Sequence, residues 1–200
     1  MIIQEYKTNE DKKPRLLLHS CCGPCSSAVM ERLAPRFDLT VFFFNPNITD
    51  REEYEKRKAA QLLCLEKYNE KAWGEDRIAL LPDEYLPDRF YEAAGGLEAE
   101  PEGGARCREC FRLRLRETAA KAAELGWDYF TTTLSVSPHK NYPLIAALGE
   151  EIAREKGVSF WAEDFKKKAG YQRSIELSRE YGLYRQNYCG CRFARQPQSP

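Results

Sequence analysis

Eight cysteines in 200 residues are the strongest chemical signal in this chain. Seven fall into three groups: Cys21-Cys22-Gly23-Pro24-Cys25, Cys107-Arg108-Glu109-Cys110 and Cys189-Gly190-Cys191. A C-x-x-C at the start of a helix points two sulfurs the same way, about one turn apart, and suits them to one metal. Cys22/Cys25 and Cys107/Cys110 both have this form. The unpaired N–H groups of a helix start also favour the thiolate. In Cys189-Gly-Cys191 the glycine frees the backbone to turn around a metal. The eighth cysteine, Cys64, sits among Leu62, Leu63 and Leu65 and reads as a small buried hydrophobe. Four thiolates complete one tetrahedral zinc or one 4Fe–4S cluster. The remaining thiols suit a second ion with an open position, which a catalytic metal needs.

The same residues permit other chemistry. Cys22-Gly-Pro-Cys25, read between a strand and a helix, also resembles the redox pair of a thiol–disulfide oxidoreductase. Cys21 stands where thioredoxins carry Trp, and that chemistry has no use for Cys107, Cys110, Cys189 or Cys191. A zinc-stabilised RNA-binding module without catalysis is the third reading.

The chain is 42% hydrophobic and 31% charged, which supplies a core and argues against overall disorder. Its formal net charge is zero, so the molecule as a whole is not built to attract nucleic acid. The charge is unevenly spread, however. Phe165–Pro200 carries eight Lys and Arg against two Glu, interleaved with Tyr171, Tyr181, Tyr184 and Tyr188. Such a segment suits phosphate neutralisation and base stacking, and equally a solvated helix face. No apolar run approaches the ~20 residues of a membrane helix. Met1–Lys7 lacks the basic-then-apolar pattern of a secretory leader. A cytoplasmic location is expected, where thiols at this density point to metal or redox chemistry.

Alternating elements must position these groups. Short apolar runs predict strands at 15–20, 39–44, 77–81, 129–133 and 158–161. Helices are expected from 26 to 32, from Thr49 or Asp50 to Tyr68, and over 107–125, 142–156 and 171–181. The Gly-rich stretch 82–105 reads as an irregular lid. This alternation predicts an α/β fold, a five-stranded parallel sheet in three layers, with ligands beyond the carboxyl ends of its strands. One domain over 1–200 is expected, with a metal-binding C-terminal segment at about 164–191 and a loose tail at 193–200.

Five longer motifs carry a family resemblance. They are Leu16-Leu-Leu-His-Ser-Cys-Cys-Gly-Pro-Cys-Ser26, Cys107-x-x-Cys-Phe-x-x-Arg-Leu115 and Thr131-Thr-Thr-Leu-x-x-Ser-Pro-His-Lys140. The others are Asp164-Phe-Lys-Lys-Lys-x-Gly-Tyr-Gln-Arg-Ser-x-Glu-Leu-Ser178 and Leu183-Tyr-Arg-Gln-Asn-Tyr-Cys-Gly-Cys191. Together they resemble the QueH epoxyqueuosine reductases, the cobalamin-independent type, over nearly the whole chain. The resemblance implies a fold like the adenine-nucleotide hydrolases and PP-loop enzymes (HUP-like), and a 4Fe–4S cluster beside a mononuclear iron. It implies removal of the epoxide oxygen from epoxyqueuosine at the tRNA wobble position, with electrons from an external one-electron donor. Some members carry Asp at the place of Cys25; an all-thiolate second site is available here.

Ligand roles go beyond the motifs. The i, i+3 spacing of Cys22 and Cys25 suggests that they share the single iron with one thiol of Cys189/Cys191. Cys21, Cys107, Cys110 and the remaining thiol would then hold the cluster. His139, Tyr188 and Lys140 are candidate proton donors, and His19 reads as a supporting or packing residue. Asn45, Asn47, Ser137, Lys140, Lys167, Lys168, Arg173 and Arg185 are candidate substrate or tRNA contacts. No Ser-Gly-Gly-x-Asp-Ser loop is present, so no ATP chemistry is expected.

Overall fold

The structure is a computed structural model and describes residues 12–81 and 84–194. Its first strand, β1 (Arg15–His19), buries Leu16, Leu17 and Leu18 completely. A strand apolar on both faces belongs in the middle of a parallel sheet. Here it pairs with β2 (Asp38–Phe42) on one side and β4 (Tyr129–Thr132) on the other. β3 (Ala79–Leu81) and β5 (Ser159–Phe160) form the edges. The order is β3-β2-β1-β4-β5, and every pairing is parallel.

Helices cover both faces. α1 (Gly23–Leu33), α2 (Arg51–Asn69) and α6 (Gly170–Glu180) pack over Leu16, Leu18, Leu39 and Val41. α4 (Ala105–Glu124) and α5 (Tyr142–Lys156) pack over Leu17, Phe42 and Phe130. The alternation along β1 therefore divides the core into two halves. Asp50 caps α2 by accepting from Glu53 N at 3.1 Å, and Asn141 caps α5 through Leu144 N at the same distance. No helix among the described residues is long and apolar enough to cross a membrane.

Three expectations change. α1 begins at Gly23 rather than at 26, so Cys22 is its N-cap and Cys25 lies in its first turn. The stretch expected to be an irregular lid contains a helix, α3 (Pro87–Ala94). Pro87 opens it, and Phe90 and Ala94, one turn apart, bury its inner face. The loose tail was expected from 193. Arg192–Ala194 instead form a short helical turn, and Phe193 packs on Phe90 at 6.2 Å between ring centroids. Residues 195–200 lie outside the described residues.

Candidate metal centre

Sheet order reverses between β1 and β4, and crevices at such switch points are where open α/β sheets bind ligands. The first cysteine group leaves β1 into this crevice. The sulfurs of Cys21, Cys22 and Cys25 lie within 4.8 Å of one another. Gly23 permits this tight entry into α1, since a Cβ there would stand 2.3 Å from the Ala60 carbonyl oxygen of α2. The turn after β4 fixes the other side: Thr133 Oγ1 accepts from Cys21 N at 3.1 Å and donates to Cys21 Sγ at 3.3 Å. Gln186 Nε2 donates to Cys22 Sγ at 2.9 Å.

The three sulfurs share charge unequally. Hydrogen bonds from Cys22 and Cys25 hold Cys21 well below the ordinary thiol range. The same hydrogen bond to Cys21 pushes Cys22 up to about 12 and also raises Cys25. One thiolate flanked by two protonated thiols is the form a cation-binding nest takes before a metal displaces the protons. Cys22 is 0% exposed, whereas the attacking thiol of a disulfide oxidoreductase needs access and a low pKa. The geometry therefore disfavours that rival.

The other four thiols meet across the chain. Cys107 and Cys110 lie in the opening turns of α4, while Cys189 and Cys191 come from the last loop. All four line one small cavity of about 80 Å³. Gly103 N donates to Cys107 Sγ at 3.2 Å. A hydrogen bond from Cys191 lowers Cys189 to about 6 and raises Cys191 in turn; burial raises Cys110. Cys21, which sequence spacing assigned to Cys107 and Cys110, has its sulfur with Cys22 and Cys25 instead. Adjacent side chains do not diverge here: Cys21 Sγ lies 3.8 Å from Cys22 Sγ. Cys64, 0% exposed, is the buried hydrophobe expected.

A buried clamp holds the last loop. Arg57 of α2 donates through Nη1 to Cys189 O at 3.1 Å and through Nη2 to Tyr188 O at 3.0 Å. Its Nε pairs with Glu53 at 2.7 Å, and Tyr184 OH donates to the second Glu53 oxygen at 2.9 Å. Asn47 Nδ2 also donates to Cys189 O. Gly190, at φ +94°, lies against Arg57 and Ile48, where a side chain would strain both backbone and contact.

A larger cavity of about 680 Å³ opens beside these groups. Cys21, Cys25, Asn45, Ser137, Tyr188 and Arg185 line it; Asn47, His139, Lys140 and Cys189 line both cavities. Asn45 is locked by donating to Ser20 O at 2.8 Å. Arg185 donates to Ser174 O and Ser178 Oγ. His19 lies beneath the site, bridging Thr132 Oγ1 at 2.9 Å and Phe44 O at 3.0 Å; burial lowers it to about 3, so it stays neutral. Lys167 and Lys168 are exposed on the turn before α6 and line neither cavity. Arg173 lies in a separate cleft, forked onto Glu31 with both contacts at 2.8 Å.

Sequence reasoning assigned no role to Arg57, Arg114 or Gln186. Arg114 stood inside a quoted motif, and its position one turn after Cys110 was the available signal. Gln186 likewise stood inside the last quoted motif, three residues before Cys189, whereas Arg57 carried no signal, since its contacts lie across the fold.

The match to the family described as epoxyqueuosine reductase QueH covers residues 16–197. Proteins named epoxyqueuosine reductase QueH are similar to this chain across its length. One from Streptococcus pyogenes serotype M1 is 42% identical over 189 residues, 94% of this chain and 73% of its own length. One from Staphylococcus epidermidis is 40% identical over 199 residues, 98% of this chain and 82% of its own. The Thermotoga maritima protein is 36% identical over 180 residues, 90% of this chain and 89% of its own. With a match that runs through all three cysteine groups, the chain belongs to the epoxyqueuosine reductase QueH family.

Proposed function

We propose that this protein removes the epoxide oxygen from epoxyqueuosine in tRNA, using an iron–sulfur cluster and a mononuclear iron. The observation that carries the reading is the pairing of a three-thiol nest with a four-thiol cavity, next to a larger cavity. Seven converging thiols are a donor set for soft metals and iron–sulfur clusters. Cys107, Cys110, Cys189 and Cys191 would hold the cluster, and Cys21, Cys22 and Cys25 the single iron with a position left open. When bound, these groups supply single electrons and a Lewis acid for the epoxide oxygen.

The reaction takes up two electrons and two protons per epoxide. Both C–O bonds break, an alkene forms and the oxygen leaves as water. Electrons come from an external one-electron donor. The protons are the task of the chain itself, and His139, Lys140 and Tyr188 line the large cavity where they are needed. Asn45 and Asn47, each held through its amide nitrogen, form a rigid floor that orients the substrate. Exposed Lys167 and Lys168 on the turn before α6 suit phosphates of the anticodon stem. The cavity is large enough for one splayed-out base and its substituent.

The test is anaerobic reconstitution with iron and sulfide, then assay on tRNA carrying epoxyqueuosine. Bound iron and sulfide with conversion to queuosine are expected. A fully active metal-free protein would return the reading to thiol–disulfide chemistry, and stoichiometric zinc without turnover would favour a binding module.

A further inference from the structure

Arg114 of α4 is as deeply buried as Arg57 and Arg106, at 3%, 2% and 2% exposure, yet of the three it alone has neither a carboxylate nor a set of carbonyls to receive its charge; its guanidinium lies 5.7 Å from the Phe111 ring. Arg57 has the Glu53 carboxylate at 2.7 Å. Arg106 donates to the carbonyls of Leu97, Glu98 and Glu100. Arg114 makes a single hydrogen bond, from Nε to Cys110 O at 3.3 Å. Among the described residues no carboxylate meets its guanidinium, and its other N–H donors make no hydrogen bond to protein, leaving them to whatever fills the cavities it lines. A buried cation without an anion is strongly unfavourable.

Its surroundings indicate what is meant to balance it. Arg114 lines both cavities and so stands in the wall between them. Lys140 lines the same wall, which adds positive charge. The one acidic residue lining either cavity, Glu102, is exposed and makes no hydrogen bond or ion pair with Arg114. The groups that do face the wall and can carry negative charge are thiols: Cys107, Cys110, Cys189 and Cys191 on one side, Cys21 and Cys25 on the other. Metal-bound thiols are deprotonated, and four thiolates outweigh the charge of the iron–sulfur core they hold.

We propose that Arg114 is the counter-cation of the metal-bound thiolates, balancing their charge from the shared wall and raising the potential at which the bound group accepts an electron. This rests on reading the four-thiol cavity as a metal site. Removing positive charge beside a redox group makes its reduced form, the more negative one, harder to reach. Arg114 is in this sense a positioning residue for charge.

The experiment compares wild-type protein, Arg114→Met and Arg114→Lys, each reconstituted anaerobically with iron and sulfide. Iron and sulfide contents are measured, and the midpoint potential is read by dye-mediated titration of the visible absorption. In Arg114→Met the reduced fraction at fixed poise should fall about tenfold, a shift of about 59 mV toward negative potential for a one-electron couple. Arg114→Lys should restore most of that shift. In the metal-free proteins Arg114→Met should melt at or above the wild-type temperature, because an unpaired buried cation has been replaced by a side chain of similar size. An unchanged midpoint in Arg114→Met overturns the proposal, and does so in favour of a substrate phosphate if KM for tRNA rises. A metal-free Arg114→Met chain that melts well below wild type also overturns it, in favour of a purely structural role. If wild-type protein takes up no iron or sulfide, the metal reading itself fails, which separates the two outcomes.

Discussion

The two thiol groups are built in opposite ways. Cys21, Cys22 and Cys25 come from five consecutive residues where β1 turns into α1, and their geometry is set by a strand end and a helix start. Cys107 and Cys110 wait on α4 for Cys189 and Cys191, which arrive from the last loop and are fastened there by Arg57 and Asn47. The first group is local and rigid by construction. The second exists only while a long-range clamp holds. Thiol groups that look equivalent as cysteine spacings therefore depend on very different parts of the chain.

The largest effect expected of a single change comes from breaking the clamp. Arg57→Met leaves Glu53 buried without its partner and should cost about 3–5 kcal/mol in chemical denaturation of the metal-free chain. Removing both charges, Glu53→Leu with Arg57→Met, should recover most of that stability and still lower iron and sulfide content. Equal stability in Arg57→Met and wild type would show that the loop has another anchor.

The local group should break from a different direction. Gly23→Ala pushes a methyl group into the Ala60 carbonyl and should cost about 3 kcal/mol, the upper end for overpacking. Spectra of the reconstituted variant should show the single iron disturbed and the cluster intact. Loss of both together would mean that the groups are not independent.

A pH titration sharpens the same comparison. His19 lies under the three-thiol group and is held at about 3 by burial, against 6.5 when free. The unfolded chain takes up a proton below pH 6.5 that the folded chain refuses until about pH 3. Stability from His19 is complete above pH 6.5 and falls as pH drops toward 3, by about 1.4 kcal/mol per pH unit. At pH 5 the metal-free wild type should have lost about 2 kcal/mol more than His19→Gln relative to pH 7.5. Parallel pH curves for the two proteins would contradict a neutral buried His19. Smallest of all is Tyr184→Phe, which removes one hydrogen bond from Glu53 and should cost about 1 kcal/mol by thermal melting. No change at all would leave Glu53 dependent on Arg57 alone.

Legibility in the sequence follows the same division. The five strands, the long helices and the three cysteine groups are all written in runs of neighbouring residues. Leu16–Leu18 announces a central strand, and Asp50 announces the start of α2. α3 was hidden because its signal is only Pro87 and the Phe90/Ala94 pair inside a glycine-rich stretch. Spacing alone does not say which sulfurs gather, and it is the fold that sets the sulfur of Cys21 beside those of Cys22 and Cys25. The contacts of Arg57 and Gln186 and the isolation of Arg114 were invisible for a deeper reason. Each is defined by what it meets, or does not meet, from distant parts of the chain.

The tether from α2 to the last loop has one more consequence. Any local opening that lifts this loop off Arg57 separates Cys189 and Cys191 from Cys107 and Cys110, yet takes from the group beside β1 only the Gln186 hydrogen bond to Cys22. Wear on the molecule thus has a direction. Oxidants and proteases that act on partly open chains should strip the far pocket first, and a worn population would retain the smaller nest long after the larger one is gone.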